Sequence, residues 1–572
     1  MSKKLALLLV LVLLLTLPFT ACSSTKQRDS DSSSQEKTKA SDSSSIDTSS
    51  GGSKYKISAP GVLPIVDEKV ELEFMMPYKS TVTDYEDNKF TRHLEEMTNV
   101  KIKFNLLPEK EASDKLNIIL SSGADLPDAI VGCPMTNQNL INYGSQGLFI
   151  PLNDLIDKHA FYMKELLEAH PDVITQITAP DGNIYALPSH FTCFNCQLAQ
   201  RFWINKTFMD ALGISKIPGT TDELYEYLKA VKNGDPNGNG KQDEIPLVGA
   251  TTGWYQNIHG FLMCSFIYDD SDRYITIDEN GTISFVANQP EWKQGLEYLH
   301  KLCSEGLLDP VSFTQDDMAL RSLVEYEEAM IVGACPSGGP HVFANATGER
   351  RKNYICIPPL KGPNGVQLTY YNKYYGVANG RFIITKDCEY PEIAFKWADY
   401  CYTEENFRWD RYGEEGVDWV MPPEGAEAVN GGQAQYREIL KWGTPQNANW
   451  SLTIPTWERF GSDSREKDPN DPYELEYWLY TAAKAYEPYV PKYVTPPLFF
   501  TLEEALEYTE LYDLITTYVE EMIARFVTGD ADLNSEWDAY VEELNNMGVD
   551  RYIEIIQTAF ERQWRESWDL IK

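Results

Sequence analysis

Residues 235–246 read DPNGNGKQDEIP and carry the sharpest chemical pattern in the chain. Asp235, Asn237 and Asn239 place oxygen side chains at alternate positions, Gly240 allows a sharp turn, and the Lys241 carbonyl and Asp243 follow. A hard divalent cation takes about six to eight oxygens, and alternate positions of a tightly turned loop point theirs inward. The pattern predicts an oxygen-ligand calcium loop. A calcium hand of the helix–loop–helix kind would place a bidentate glutamate at the twelfth position; Pro246 stands there instead, with Glu244 at the tenth. A polar turn would also use Asn and Gly, but turn chemistry alone does not call for three oxygen side chains in alternation. Gly234 with Gly240-Lys241 nearly mimics a phosphate loop, yet the glycine spacing is one too long and Gln242 replaces the Ser or Thr that magnesium needs.

Cys193 and Cys196 form a C-x-x-C. A redox site would set the pair after a strand at a helix start, and a zinc site needs a second pair. Neither context is legible, so the pair reads as buried or surface-neutral cysteines. The other cysteines, Cys22, Cys133, Cys264, Cys303, Cys335, Cys356, Cys388 and Cys401, are scattered and form no disulfide framework. No H-E-x-x-H, G-x-S-x-G or phosphate loop is present, and an abundance of Asp and Glu is not by itself an acid–base constellation.

The elements that must hold these residues follow from the patterning. Lys3 and Lys4 precede an apolar run over 5–17, then Pro18, Phe19, Thr20, Ala21 and Cys22. The run is shorter than the roughly 20 residues of a membrane span and reads as a secretory signal. Its end resembles a bacterial lipobox, with Phe19 where leucine is usual, which makes Cys22 the lipidated N-terminus of an exported, tethered protein. Residues 23–60 form a Ser/Thr/Asp-rich leash that cannot bury enough apolar surface to fold. The globular remainder of the 572 residues is long enough for two large lobes. With 50 Lys+Arg against 86 Asp+Glu and a formal charge of -36, nucleic acid and anionic lipid surfaces are poor partners. Strand patterns over 70–76, 100–107, 129–131, 202–205, 329–334, 354–357 and 374–384 alternate with helical ones over 88–97, 115–120, 152–159, 206–212 and 221–231. Alternation of this kind predicts α/β blocks around mostly parallel sheets. Residues 61–190 with 326–390 are expected to form the first lobe, and 191–325 with a helical extension over 391–572 the second. Hinges are expected near 188–202, 325–331 and 381–391, with a ligand in the cleft between.

Three stretches resemble the family 1 extracellular solute-binding proteins of ABC importers, in particular the long Gram-positive carbohydrate-binding lipoproteins and the related alginate-binding proteins. They are FWINKTFMDALGISKIPGTTDELYEYLKAVKNGDPNGNGKQDEIPL over 202–247, SSGADLPDAI over 121–130 and YGEEGVDW over 412–419. The resemblance implies a two-lobed type II periplasmic-binding-protein fold with a hinge and a helical C-terminal extension. It also implies a structural calcium held by Asp235, Asn237, Asn239, the Lys241 carbonyl, Asp243 and Glu244. The implied function is capture of an oligosaccharide in the interdomain cleft and its delivery to ABC transporter permease subunits from the outer face of the cell membrane.

Sugars lay their C–H faces on aromatic rings, and the chain has 13 Trp and 34 Tyr. Trp254, Tyr255, Tyr371, Tyr374 and Trp419 lie just after predicted strands or in Gly-containing loops, Trp254 and Trp419 being the foremost candidates. Trp203 sits inside a strand pattern and reads as packing. Arg411, Glu415 and Asp418 are candidates for hydroxyl binding, Arg411 also for a carboxylate. The rival reading is a secreted glycoside hydrolase or polysaccharide lyase, which would also need export, aromatics and calcium.

Overall fold

The computed structural model describes residues 54–123 and 125–571. The predicted signal, Cys22 and most of the leash lie outside them. In the described chain, strand β1 (Val70–Tyr78) runs parallel to β2 (Val100–Pro108), with Val70 opposite Val100 and Phe74 opposite Phe104. Val70, Leu72 and Phe74 are buried, while Glu71 and Glu73 meet Lys101 and Lys103 across the outer face at 2.9 and 2.6 Å. Such exposed pairs are worth less than about 1 kcal/mol, so the buried face is what pins the register.

The remaining strands of the two main sheets are β3 (Ala129–Val131), β4 (Leu187–His190), β5 (Phe202–Asn205), then β8 (Ala334–Pro336), β9 (Tyr354–Ile357) and β10 (Val377–Ile384). A separate hairpin, β6 (Ile275–Ile277) with β7 (Ile283–Phe285), lies between them in sequence. The first sheet has the order β2-β1-β3-β10-β4 and the second β8-β5-β9. Only β1, β2 and β3 are parallel to one another; β10 is antiparallel to both its neighbours, and both pairings of β5 are antiparallel. The expectation of mostly parallel sheets therefore holds for one half of one sheet.

The lobes also divide differently from the expected boundaries. Strands β8 and β9 pair with β5, so of residues 326–390 only β10 and its flanks join the first sheet. Residues 391–457 pack on the first sheet rather than the second: Trp397 lies 4.9 Å edge-on from Phe74, and Trp450 lies 5.4 Å from Phe104. The helices from Leu475 onward pack on second-lobe elements and also touch the first, where Phe499 joins the cluster around Tyr143 and the Gln563 amide donates to the Thr175 carbonyl at 3.0 Å. The longest, Leu502–Thr528, opens with a capping box of Thr501 and Glu504 and packs on helix Pro290–Ser304. Residues 54–60, expected in the leash, belong to the folded body: Ile57 bridges Val66, and the Ser58 carbonyl accepts from Lys396 at 2.8 Å. Periodicity reports which segments are strands and helices; which sheet receives them depends on contacts hundreds of residues apart.

Three segments cross between the lobes side by side. The His190 N–H donates to the Thr456 carbonyl, the Glu458 N–H to the His190 carbonyl and the Phe191 N–H to the Gly376 carbonyl, each at 2.8 Å. Of the expected hinges, 188–202 contains the first crossing. Residues 325–331 lie inside the second lobe and 381–391 inside the first; the second crossing is at 372–377, and the third segment passes the first at 457–461 before pairing with 427–436 through residues 463–467. Cys193 and Cys196, just past the first crossing, are joined in a disulfide with a Cα–Cα distance of 5.2 Å. This corrects the reading of the pair as two inert thiols.

Candidate functional site

Where the crossings meet, Glu458 is pinned from two sides. Its carboxylate accepts from the Thr192 N–H at 2.9 Å and its carbonyl from the Thr192 hydroxyl at 2.8 Å. Burial raises its pKa to about 7, against the opposing pull of Arg411 and the Thr192 N–H. Asp410, buried at the end of helix Glu404–Tyr412, is likewise pushed up to about 7 by burial, opposed by the backbone N–H groups of Thr453 and Ile454 and by Arg381. That backbone is strained: Ser451 and Leu452 hold φ of 56° and 58°, a left-handed conformation that costs energy outside glycine. The turn is tied to the carboxyl end of β1, where the Thr81 carbonyl accepts from the Gln446 N–H at 2.8 Å and the Ser451 and Thr81 hydroxyls lie 3.0 Å apart. At Gly132, just past β3, any Cβ would lie 2.6 Å from Thr453. Carboxyl ends of strands at a change of sheet direction are where open α/β folds bind ligands.

On the second lobe, Trp254 closes over the loop after β8. Its carbonyl accepts from the Gly338 N–H at 2.8 Å, and its ring leaves 2.2 Å for any Cβ at position 338. Tyr255, at φ 54°, sets its ring 6.1 Å from Trp254 and 5.5 Å from Tyr370. Beneath them Arg201 is fully buried and donates to the Gly338 and Asn195 carbonyls. Tyr375, in the second crossing between β9 and β10, is 40% exposed.

The sequence candidates separate accordingly. Trp254 and Tyr255 stand together on the second lobe, and Arg411 lies at the end of helix Glu404–Tyr412 on the first. Tyr371 and Tyr374 line a different depression with Asp270, Asp272 and Pro497, and the Tyr374 ring lies 5.8 Å from Trp564. Residues 373–376 form a turn in which the Tyr375 N–H donates to the Asn372 carbonyl at 3.1 Å, and Tyr370 faces Tyr255 while lining that depression beside Tyr371 and Tyr374. Glu415 is exposed on a turn, and Asp418 binds Lys89 at 3.2 Å. Trp419 is only 2% exposed, donates to the Gly413 carbonyl at 3.1 Å and lies under Arg408 at 4.8 Å. It is a core residue of the small cluster with Phe407, Tyr412 and Tyr436, which corrects its ranking as a stacking platform. Trp203 is buried between Phe343 and Trp478, as its strand pattern implies.

The 235–244 loop follows helix Thr221–Asn233 as a tight polar turn. Asp235 accepts from the Asn239 N–H at 3.1 Å and the Gly240 N–H at 2.8 Å; Asp243 accepts from the amides of Asn237 and Asn239, both at 3.0 Å. Glu244 faces the same interior, where Asp235 and Asp243 add to the burial that raises its pKa, and its Oε2 is buried with no partner among the described residues. No group of three His, Cys, Asp or Glu side chains among the described residues is placed to hold a metal, so any cation here would need the amide and carbonyl oxygens as well.

A family model described as bacterial extracellular solute-binding protein matches residues 79–406. The chain belongs to that family. Among curated relatives of this solute-binding protein is the fructooligosaccharide ABC transporter substrate-binding protein FusA of Streptococcus pneumoniae, 27% identical over 533 residues, which cover 89% of this chain and 95% of the relative. A solved structure of a FusA EF-hand mutant in complex with fructo-nystose matches with a TM-score of 0.68 at 24% identity, over 88% of this chain and 100% of that one. The HMO-binding, ABC-transporter-associated solute-binding protein of Bifidobacterium longum infantis matches at 0.72 with 21% identity, over 87% and 99%. These likenesses show the two-lobed α/β fold of solute-binding proteins. Among the described residues, no helix is long and apolar enough to cross a membrane.

Sequence reasoning missed Tyr370, Tyr375 and Glu458. The run YYNKYYG shows that tyrosines gather there, but which of them meets Tyr255 depends on the turn at 373–376 and on partners far away in sequence.

Proposed function

We propose that this solute-binding protein captures an oligosaccharide between its lobes and passes it to the permease subunits of an ABC importer. What supports the reading is the family match, together with aromatic and polar groups at and beside the crossings: Trp254, Tyr255 and Tyr375 with Arg411 and Glu458. Aromatic faces beside a few fixed polar groups suit a sugar's C–H faces and hydroxyls. The fructooligosaccharide-binding relative, aligned over nearly its whole length, supports the same class. A calorimetric titration against neutral and acidic oligosaccharides tests it: saturable binding without turnover is expected, whereas cleavage of the sugar would favour the hydrolase or lyase reading.

A lipid anchor and a bound ion belong to the same proposal. The signal-like segment ending in Cys22 supports a lipid anchor at the outer face of the cell membrane. The oxygens around 235–244 and the partnerless buried Glu244 oxygen support calcium, held by Asp235, Asn237, Asn239, the Lys241 carbonyl, Asp243 and Glu244. Bound there, the ion would supply charge that lets Asp235, Asp243 and Glu244 stay ionised together and would fix the end of the preceding helix. The chain's own part is to bring those oxygens together: the Asp235 hydrogen bonds fold the loop on itself, while the Asn237 and Asn239 amides give their hydrogens to Asp243.

A further inference from the structure

The Cys193–Cys196 disulfide closes a ring with only two residues between its cysteines. A ring that short removes little freedom from the unfolded chain, because stabilisation by cross-linking grows with loop length. Its effect is therefore local, and its place gives that effect leverage. Strand β4 ends at His190, and Cys193 immediately precedes the helical turn Phe194–Gln197. The pair thus stands after a strand at a helix start, the context that a redox pair needs and that sequence pattern did not reveal. Both cysteines are half-buried, whereas the free Cys133, Cys264, Cys335 and Cys401 are buried.

The residues around the pair each hold a different part of the lobe junction. Thr192 binds Glu458 of the third segment. Asn195, 4% exposed, donates its amide to Glu476 at 3.1 Å, on the oxygen that also accepts from the Ser462 hydroxyl at 2.8 Å. The Asn195 carbonyl accepts from buried Arg201, which also donates to the Gly338 carbonyl in the loop beneath Trp254. Gln197 holds the second crossing: its carbonyl accepts from the Asn372 N–H at 2.9 Å, and its amide donates to the Lys373 carbonyl at 3.2 Å. Inside the ring the Cys193 carbonyl accepts from the Cys196 and Gln197 N–H groups at 3.2 and 3.3 Å, the long end of the ordinary range, so the covalent bond does much of the holding.

We propose that Cys193 and Cys196 form a thiol–disulfide exchange site that sets the stiffness of the lobe junction. Oxidised, the pair fixes the first crossing and, through Gln197, the second; reduced, it lets both open locally. The reductant is an external low-molecular-weight thiol. Its thiolate attacks one sulfur of the pair, forming a mixed disulfide and releasing the other cysteine as a thiolate that takes a proton. A second small thiol then displaces the first cysteine, so Cys193 and Cys196 end as thiols and the two small thiols leave joined as their disulfide. The exchange requires no sugar, so it stands or falls apart from the oligosaccharide reading.

The test treats the intact folded protein with millimolar reduced glutathione, alkylates accessible thiols with iodoacetamide and reads the peptide carrying Cys193 and Cys196 by mass spectrometry. Amide hydrogen exchange is followed in parallel. Both cysteines should be alkylated only after glutathione. In the reduced protein the amides of 190–202 and 372–377 should exchange about tenfold faster, the scale set by closing a short ring. Amides of β1 and β2 should be unchanged, and oxidised glutathione should restore slow exchange. The double variant Cys193→Ser with Cys196→Ser should exchange like the reduced protein with or without glutathione. Alkylation without glutathione, or cysteines protected until urea unfolds the chain, would overturn the exchange site. Unchanged exchange on reduction, or faster exchange spread over the whole chain, would overturn its hold on the junction.

Discussion

Replacing Trp419 with alanine removes an indole buried among Phe407, Tyr412 and Tyr436 and leaves the Gly413 carbonyl without its donor. Large-to-small changes of buried aromatics cost about 3–5 kcal/mol. Trp419→Ala is therefore expected to lower the urea midpoint strongly while the surviving folded fraction binds sugar normally. Trp254→Ala is expected to do the reverse, weakening sugar binding with a modest loss of stability, because its ring is only partly buried against Gly338. Paired denaturation and titration experiments check both. A Trp254→Ala protein with wild-type affinity would remove it from the site. The two tryptophans look alike in sequence, each in a Gly-rich context near a predicted strand end. What separates them is whether a neighbouring cluster covers the ring, and that is decided by residues such as Tyr436 and Arg408 that local pattern does not bring together.

At the scale of elements, the third crossing carries a titrating group. The carboxyl of Glu458 ordinarily titrates near 4.5 and is held at about 7 in the folded protein. The folded state keeps its proton to higher pH than the unfolded chain does, so stability is lost as pH rises between those values. Glu458→Gln should remove that part of the loss, on the order of 3 kcal/mol at most, with Asp410 still contributing its own. Urea unfolding at pH 5 and pH 8 measures it; an equal decline in wild type and variant would place the proton elsewhere. The 235–244 loop gives a second element-scale prediction. Calcium binding only the folded state would stabilise it by about 2.7 kcal/mol at a hundredfold excess over Kd. Adding calcium to chelator-treated protein should raise the melting temperature, and Asp235→Ala should abolish the rise. A melting curve indifferent to calcium would leave the loop as a polar turn.

For the whole molecule, three adjacent crossings permit rotation of one lobe against the other at modest cost. A sugar that touches Trp254 on one lobe and Arg411 on the other has more to bind in the closed arrangement, so it must shift the population toward closure. Small-angle scattering should show a smaller radius of gyration with the cognate sugar than without it. An unchanged radius at saturation would mean that the sugar is held by one lobe alone. At the same scale, Cys22→Ser should release the protein from membranes or leave it unprocessed, because stable anchoring takes more than one acyl chain; normal processing with full membrane retention would remove the lipid anchor.

The sequence by itself determined what depends on neighbours within a dozen residues. The boundaries of β3, β5 and β9, the helix over Thr221–Asn233 and the polar turn after it follow from local periodicity, caps and glycines, and the family was legible from the same stretch. It also placed Trp254, Tyr255 and Arg411 among the candidates. Only the tertiary structure decided which sheet receives β8, β9 and the 391–457 segment, that Trp419 is covered, and which tyrosine of YYNKYYG meets Tyr255. Each of these is set by packing between residues far apart in the chain. A one-residue change of phase or a different crossing leaves the local pattern untouched and moves the side chain to the opposite face.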